Sequence, residues 1–299
     1  MDRLHLMSVY VAVVEAEGFA GGARKLQMSP PAVTRAVAAL EERLGVKLLN
    51  RTTRYVRMTE AGQKYYEDAK RVIALADEAD DAVLGINVEP RGQLAVTASV
   101  LFGRLFVMPG IVEYLRRYPE VEVNALFVDR VVNMLEEGLD VAIRIAELPD
   151  SSYRALRVGT VRRVLCASPE YLETHGIPQS PEDLTRHRII LARGLNPANE
   201  IRFQRDGTAQ TIKLQPILSV SDNDSAASAA LAGLGITRLL NYQIAGYLKN
   251  GQLKILLSKF EVASVPVHIV HREGRHSSAK IRSFVDLMAE RLRAELSLN

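Results

Sequence analysis

The chain carries one cysteine, Cys166, among 299 residues. A single thiol permits neither an internal disulfide nor a thiolate metal cluster. No apolar run approaches the ~18–20 residues that cross a bilayer, so no membrane partner is expected. The opening MDRLHLMSVYVAVVEAEGFA is apolar but interrupted by Asp2, Arg3, His5 and Glu15. It has no basic stretch leading into an unbroken apolar one, so a secretory signal is not expected and a cytoplasmic setting is. The six histidines, His5, His175, His187, His268, His271 and His276, show no metal-like spacing with acids. His268 and His271 are close, but a separation of three in a strand places them on opposite faces. No nucleophile elbow, phosphate-cradling glycine loop or paired acids in a catalytic context is visible, and Gly233-Leu234-Gly235 lacks the remaining glycine of a dinucleotide fingerprint. These absences argue against an enzyme, a metal site and a bound cofactor.

What is present is a globular composition with an uneven charge distribution. Hydrophobic residues make up 47% and charged residues 24%, ordinary for a folded chain long enough for more than one domain. Residues 1–58 hold nine Lys/Arg against five acids, whereas residues 59–89 hold three bases against eight acids. A basic head followed by an acidic segment suggests a polyanion partner for the head alone.

Three short helical patterns precede residue 46. Leu4, Met7, Val11 and Val14 recur at helical spacing, with Gly18 as the expected stop. A second segment covers roughly Phe19–Leu26, where Gly21 and Gly22 lower helix propensity but permit close approach of another backbone. The third is predicted from Pro30 to Leu44. Ser29 is its N-cap, Pro30 sits where a missing N–H is no loss, and Gly45 is the stop. Val33, Val37, Leu40 and Leu44 form its apolar stripe, with Pro31, Thr34, Arg35 and Ala38 away from it. A second helix that exposes small and basic residues at its start fits DNA reading. Arg35 suits a guanine edge or a phosphate, Thr34 a base, Pro30 and Pro31 a thymine methyl, and the free N–H groups at the helix start a phosphate. The alternative is a three-helix bundle with a solvated basic face. Strand-like Val46–Leu49 and Tyr55–Met58 flank a predicted wing whose Arg51, Arg54 and Arg57 are placed to grip the DNA backbone.

At this point the residues resemble a family. Over Phe19–Gly62 the matching elements are Ala23 and Leu26, Ser29-Pro30, Ala32-Val33-Thr34-Arg35, Leu40-Glu41 with Leu44-Gly45, Leu48 with Asn50-Arg51, and Thr59-Glu60-Ala61-Gly62. In this order they resemble the DNA-binding signature of LysR-type transcriptional regulators of bacteria. The departures are Gly21 and Gly22 for alanines, Leu49 for a phenylalanine, and Ala38 for a longer polar residue. The last suggests more reliance on DNA shape. The resemblance implies a sequence-specific, effector-responsive regulator with an overall α/β fold. Its parts would be an all-α winged helix-turn-helix, a long linker helix and a two-lobed domain like periplasmic binding proteins.

Residues 59–89 read as that linker, capped by Thr59 with Glu60 in the first turn. Tyr65, Ala69, Val72, Ala76, Ala79, Val83 and Ile86 make a heptad seam. It fits either packing on its own domain or pairing between subunits, and the resemblance implies the second. Asn87–Gly92 reads as a hinge. Beyond it, strand and helix patterns alternate: Gln93–Ser99, a helix around Arg104–Tyr118, Glu120–Phe127, a helix around Arg130–Glu137, and Asp140–Ile145. That predicts largely parallel sheets with ligands beyond the strand ends.

The resemblance continues through Asp129–Arg144, Val161–Pro169 and Ala230–Ile236. It implies a domain at 90–299, with one lobe at 91–162 plus 268–299, the other at 163–267, and crossings near Arg162 and Val267. Expected effector residues between the lobes are Ser99, Val100, Asp129, Arg144, Arg193, Phe203, Asp222 and Asn223. Arg144 and Arg193 suit an anionic small molecule or, alternatively, salt bridges; Asp222-Asn223 suits a ligand or a helix cap. Arg238-Leu239-Leu240-Asn241 stands where the family commonly has a proline. The implied partners are promoter DNA, the effector, a second copy with assembly to a homotetramer, and RNA polymerase. A ligand-independent architectural DNA-binding protein is the alternative.

Overall fold

The computed structural model describes residues 2–51, 56–84, 89–150, 153–192, 199–205, 207–272 and 278–295. The chain divides into two units, the boundary lying at Gly92–Gln93.

In the first unit, α1 (Arg3–Glu15), α2 (Phe19–Lys25) and α3 (Pro30–Leu44) bury Val9, Tyr10, Val13, Val33, Val37 and Leu40 among themselves. The stop of α1 is not the glycine expected. The helix ends at Glu15, the left-handed residue is Glu17 at φ 51°, and Gly18 is extended. Gly21 and Gly22 do serve close approach: a Cβ on the first would lie 2.8 Å from Ala16 Cβ, and on the second 3.0 Å from Val13 Cα. Helix α3 has the bounds its signals predict, and Gly45 closes it at φ 67°. Leu44 leaves the expected stripe and is exposed, its place in the core taken by Ala36.

Strand β1 (Leu49–Arg51) pairs antiparallel with β2 (Val56–Met58) in the register Asn50↔Arg57. The first wing strand therefore starts later than Val46, because Leu48 and Leu49 turn inward while Val46 stays exposed. Helix α4 (Glu60–Leu84) follows. Thr59 caps it as expected, its hydroxyl accepting from Gly62 N at 2.9 Å and donating to Lys47 O at 2.8 Å.

The second unit contains two five-stranded sheets. The first has the order β4 (Val121–Phe127), β3 (Gly92–Ala98), β5 (Val141–Ile145), β14 (Val265–Arg272), β6 (Tyr153–Val161). The second has β11 (Pro216–Val220), β8 (Ile189–Ala192), β12 (Ile236–Leu240), β7 (Arg163–Ala167), β13 (Lys254–Leu256). A two-stranded ribbon of β9 (Glu200–Arg205) and β10 (Thr208–Lys213) stands apart. The sheets are mixed rather than largely parallel. β3–β5, β11–β8 and β8–β12 run parallel, but β14 is antiparallel to both its neighbours and so is β7. The reason is the crossing: each sheet receives one strand straight from the other, so that strand enters in the reverse direction.

The outward crossing is at Arg162. There Arg162 N donates to Asn241 Oδ1 and Asn241 N donates to Arg162 O, both at 2.9 Å. The return comes before Val267, since Val265 already pairs with Val161. Helix α10 (Ala279–Ala294) covers the first sheet, where Tyr114 of α6 (Met108–Arg117) meets Phe284 edge-on at 5.1 Å. The helix expected near Arg104–Tyr118 begins earlier, with α5 (Val100–Phe102) and a π turn at Gly103–Val107 leading into α6. The helix expected at Arg130–Glu137 does not form. Asn133 Oδ1 accepts from Leu135 N at 3.0 Å, a local bond that competes with helix, and Arg130 clasps Glu137 with two bonds of 2.7 Å.

Candidate functional site

The start of α3 is the exposed face of the first unit. Ser29, Pro30, Pro31, Arg35 and Ala38 are exposed and Thr34 half-buried. Ser29 occupies the N-cap position in extended conformation, yet its side chain makes no capping bond. The expected phosphate cradle of free N–H groups is absent. Pro30 and Pro31 have no N–H, and the next two amides, Ala32 and Val33, both donate to Ser29 O at 2.9 and 3.1 Å. Recognition there falls to side chains. Thr34 Oγ1 donates back to Pro30 O at 3.0 Å, and Arg35 Nε to Pro31 O at 3.4 Å, a bond that leaves the terminal guanidinium nitrogens outward. Arg57 on β2 is exposed; the Arg51 side chain and Arg54 lie outside the described residues.

One residue that sequence reasoning missed holds α3 and the β1–β2 pair together. Glu41 is buried, and its Oε1 accepts from Leu48 N at 2.9 Å and Leu49 N at 3.1 Å. Its Oε2 takes Lys47 Nζ at 2.8 Å. Burial works to raise its pKa, but the hydrogen bonds from Lys47 and from the amides of Leu49 and Leu48 outweigh it, and the net direction is down. The sequence shows only an acid on a helix; that it reaches the next turn of chain is a tertiary fact.

The seam on α4 splits. Ala69 is fully buried against Met7 and Val11 of α1, and Tyr65 packs there too, so these two positions serve their own domain. Farther along, Val72 is 41% and Leu75 57% exposed, leaving an apolar surface that no described residue covers. Ala76 is half-buried; the Ala79 and Val83 side chains and Ile86 lie outside the described residues.

In the second unit the expected effector residues separate into groups. Ser99, Val100 and Asp129 meet at the ends of β3 and β4, where Val100 N donates to Asp129 Oδ1 at 3.0 Å. Ser99 Oγ is buried, with the Tyr242 phenol as its side-chain neighbour. Tyr242, the second residue of α9 (Asn241–Lys249), brings its phenol beside Ser99 and Asp129. Its ring stands edge-on to Phe102 at 5.3 Å and to Phe106 at 5.7 Å. Burial first, with Asp129 and Asp224 adding, pushes its pKa up to about 12. Sequence reasoning stopped one residue short of it, at Asn241.

The other expected residues are engaged elsewhere. Arg144 is tied to Val132 O at 2.9 Å, so it braces the 129–138 loop. Asp222 caps α8 (Asn223–Leu231), accepting from Ser225 N at 2.7 Å, and Asn223 begins that helix. Phe203 is buried in a different core, with Ile201, Leu214 and Leu256. Arg193 lies outside the described residues.

Two family models match this chain. The bacterial regulatory helix-turn-helix of the lysR family covers residues 4–63, and the LysR substrate binding domain covers residues 87–293. The chain belongs to the LysR family of transcriptional regulators. It is 32% identical over 292 residues to a transcriptional repressor of Pseudomonas aeruginosa, covering 97% of this chain and 92% of that one. It is 31% identical over 291 residues to the transcriptional activator AaeR of Escherichia coli, covering 97% and 94%. The solved structure of CrgA, a LysR-type regulator from Neisseria meningitidis, superposes with a TM-score of 0.62 at 30% identity, covering 98% of this chain and 99% of that one.

This LysR-type chain is thus a transcriptional regulator and not an enzyme. That a repressor and an activator resemble it equally means the sign of regulation does not follow from likeness. Among the described residues no single helix is long and apolar enough to cross a membrane.

Proposed function

We propose that this regulator, working in the bacterial cytoplasm, reads promoter DNA with α3. The wing holds the backbone, the unit at 1–58 is joined to a copy of itself through α4, and a small effector bound at 90–299 alters DNA binding or bending. The exposed start of α3 carries the DNA reading: Ser29, Thr34 and Arg35 share one solvent face above a core that fixes the helix. The bare Val72–Leu75 surface supports pairing, which sets two recognition helices on two half-sites. Assembly of two dimers and contact with RNA polymerase extend this reading.

The convergence of the Ser99 hydroxyl, the Asp129 carboxylate and the Tyr242 phenol at the ends of β3 and β4 supports an effector seat at Ser99, Val100, Asp129 and Tyr242. A few polar groups gathered against aromatic rings suit a small ligand with a polar atom. Ligand control needs unequal affinity for two assembly geometries.

The test is binding of the full chain to its own upstream DNA across a salt series, beside Arg35→Ala. Preference for that DNA over scrambled sequence, lost in Arg35→Ala, supports the reading. Equal weak binding of both proteins to every sequence overturns it in favour of an architectural role.

A further inference from the structure

Helix α9 follows β12 of the second sheet but supplies two cores. Ile244 is buried with Val164 and Cys166 of the second sheet, whereas Tyr242, 4% exposed, is buried in the core of the first, with Val96 and Val267. A ring from one side of the crossing is therefore seated in the other. Just before it, Asn241 exchanges two hydrogen bonds with Arg162, which fixes the start of α9 where the chain passes between the sheets. The receiving recess is built for a ring. Phe102 ends α5, and Phe106 stands in the π turn at Gly103–Val107. The longer repeat of a π turn brings residues four apart nearly into line, and such turns occur frequently at functional sites. The two rings lie 4.7 Å apart and both meet Tyr242 edge-on. Gly103 lets the turn lie on Phe127, whose ring a Cβ would meet at 2.6 Å.

The rim and the depth of the effector seat differ. At the rim Val100 is 44% exposed and Asp129 is exposed too. Beneath them the Ser99 hydroxyl is shut off from solvent, with the Tyr242 phenol beside it. The place beside Ser99, Phe102 and Phe106 is thus taken by the chain's own phenol. We propose that Tyr242 is an internal stopper: its ring closes the seat, and an effector enters only as the ring withdraws and the start of α9 moves with it. The inference rests on the seat proposed above and adds what holds it shut. A ligand that needs the stopper out binds with an affinity lowered by the fraction of time it is out. Because Asn241 and Tyr242 are successive, withdrawal pulls at the crossing, where two sheets change angle by a hinge. Occupancy of the seat is thereby tied to the geometry of the two sheets.

The test adds p-cresol, the tyrosine side chain cut free, or toluene, which lacks its hydroxyl, to the full chain and to Tyr242→Ala. Removing the buried ring should lower the melting temperature of the second unit by roughly 10 °C, and p-cresol at a hundredfold excess over its Kd should return roughly half of that. Toluene should return less, since it offers nothing to the Ser99 hydroxyl. Wild type, its recess filled, should bind p-cresol at least about tenfold more weakly than Tyr242→Ala in calorimetric titration. A second variant, Tyr242→Phe, keeps the ring and so the fold. In it, amide exchange at Gly103, which donates to Ser99 O at 2.7 Å, and at Asn241, which donates to Arg162 O, should quicken together by roughly 2- to 10-fold. Wild type binding p-cresol as tightly as Tyr242→Ala makes the ring a wall of an open seat, which overturns the stopper and leaves the seat. Binding to neither protein, or unchanged exchange in Tyr242→Phe, overturns the stopper as well. Toluene matching p-cresol overturns the placing of the phenol against Ser99. Rescue of Tyr242→Ala by p-cresol with no change in binding to upstream DNA supports the ring's fit and counts against the effector seat itself.

Discussion

Two helical glycines separate packing from propensity, because substituting alanine should move stability in opposite directions. Gly62 lies in the first turn of α4 against the chain entering the wing. A Cβ there would overlap the Leu48 carbonyl oxygen, with Leu48 C at 3.0 Å and the Tyr10 hydroxyl at 2.9 Å. Neither neighbour yields cheaply: Leu48 O accepts from Thr59 N at 2.9 Å, and Tyr10 is fully buried, donating to Gly62 O at 3.0 Å. Overpacking costs about 1–3 kcal/mol. Stretching the Tyr10 bond adds about 2 kcal/mol, and alanine returns about 1 kcal/mol of helix propensity. Gly62→Ala should therefore destabilise the first unit by about 2–4 kcal/mol. Gly246 in α9 has nothing within 4 Å of a Cβ, and Gly246→Ala should stabilise by about 0.5–1 kcal/mol. A chain of two units need not unfold in one step, so amide exchange is the assay, read in α1 and α4 for Gly62→Ala and in α9 for Gly246→Ala. Opening in α1 and α4 should speed up roughly 30- to 900-fold in Gly62→Ala. Exchange unchanged in Gly62→Ala, or a shift of the same sign in both variants, would refute the reasoning.

The other expectations are briefer. Glu41→Gln should cost about 1–3 kcal/mol at neutral pH. Because the folded carboxyl titrates below its ordinary value, its contribution is full above the unfolded glutamate pKa and vanishes as pH falls through the folded one. Wild type and variant should therefore converge in acid, seen by denaturant unfolding of the first unit against pH. Val72→Asp with Leu75→Asp should weaken self-association without unfolding α1–α3; sedimentation showing an unchanged dimer would remove α4 pairing. Cys166 is buried and its thiol pushed up to about 12. Native protein at pH 8 should resist iodoacetamide and react only after unfolding, which mass spectrometry of the alkylated peptide would detect.

Local signals proved reliable where the chain itself carries the cause. Pro30 and Gly45 set the ends of α3 through backbone geometry, and Thr59 caps α4 through a hydroxyl within three residues of its target. What was not legible depends on distant partners. Ala69 looked like an interface residue because a heptad does not say which neighbour fills it; Met7, far back in the sequence, does. Glu41 and Tyr242 have unremarkable neighbours in sequence and acquire meaning only from turns and strands that arrive later. At 129–138 the apolar spacing read as helix, but Asn133 offered nearby amides a local acceptor, and Val131 and Leu135 were left exposed.

The blocked start of α3 also changes how affinity and selectivity divide. A helix with open N–H groups would anchor a phosphate with its own backbone and aim its side chains from that anchor. Here the prolines remove two donors and Ser29 O absorbs the next two. If the chain reads DNA as proposed, the backbone anchor is expected from cationic side chains such as Arg57, on the short β1–β2 pairing. Each such contact releases counterions and is sensitive to salt, whereas base-edge contacts are much less so. Thr34 is already tied to Pro30 O, so a base must outbid an existing bond for its hydroxyl. Among the described residues Arg35 is tied through Nε alone, which leaves its outer fork to a partner. On the proposed reading Arg35 is expected to dominate discrimination and the wing strength, so Arg35→Ala should flatten sequence preference while Arg57→Ala should weaken binding to every sequence and lower its salt dependence, as DNA titrations across a salt series would show.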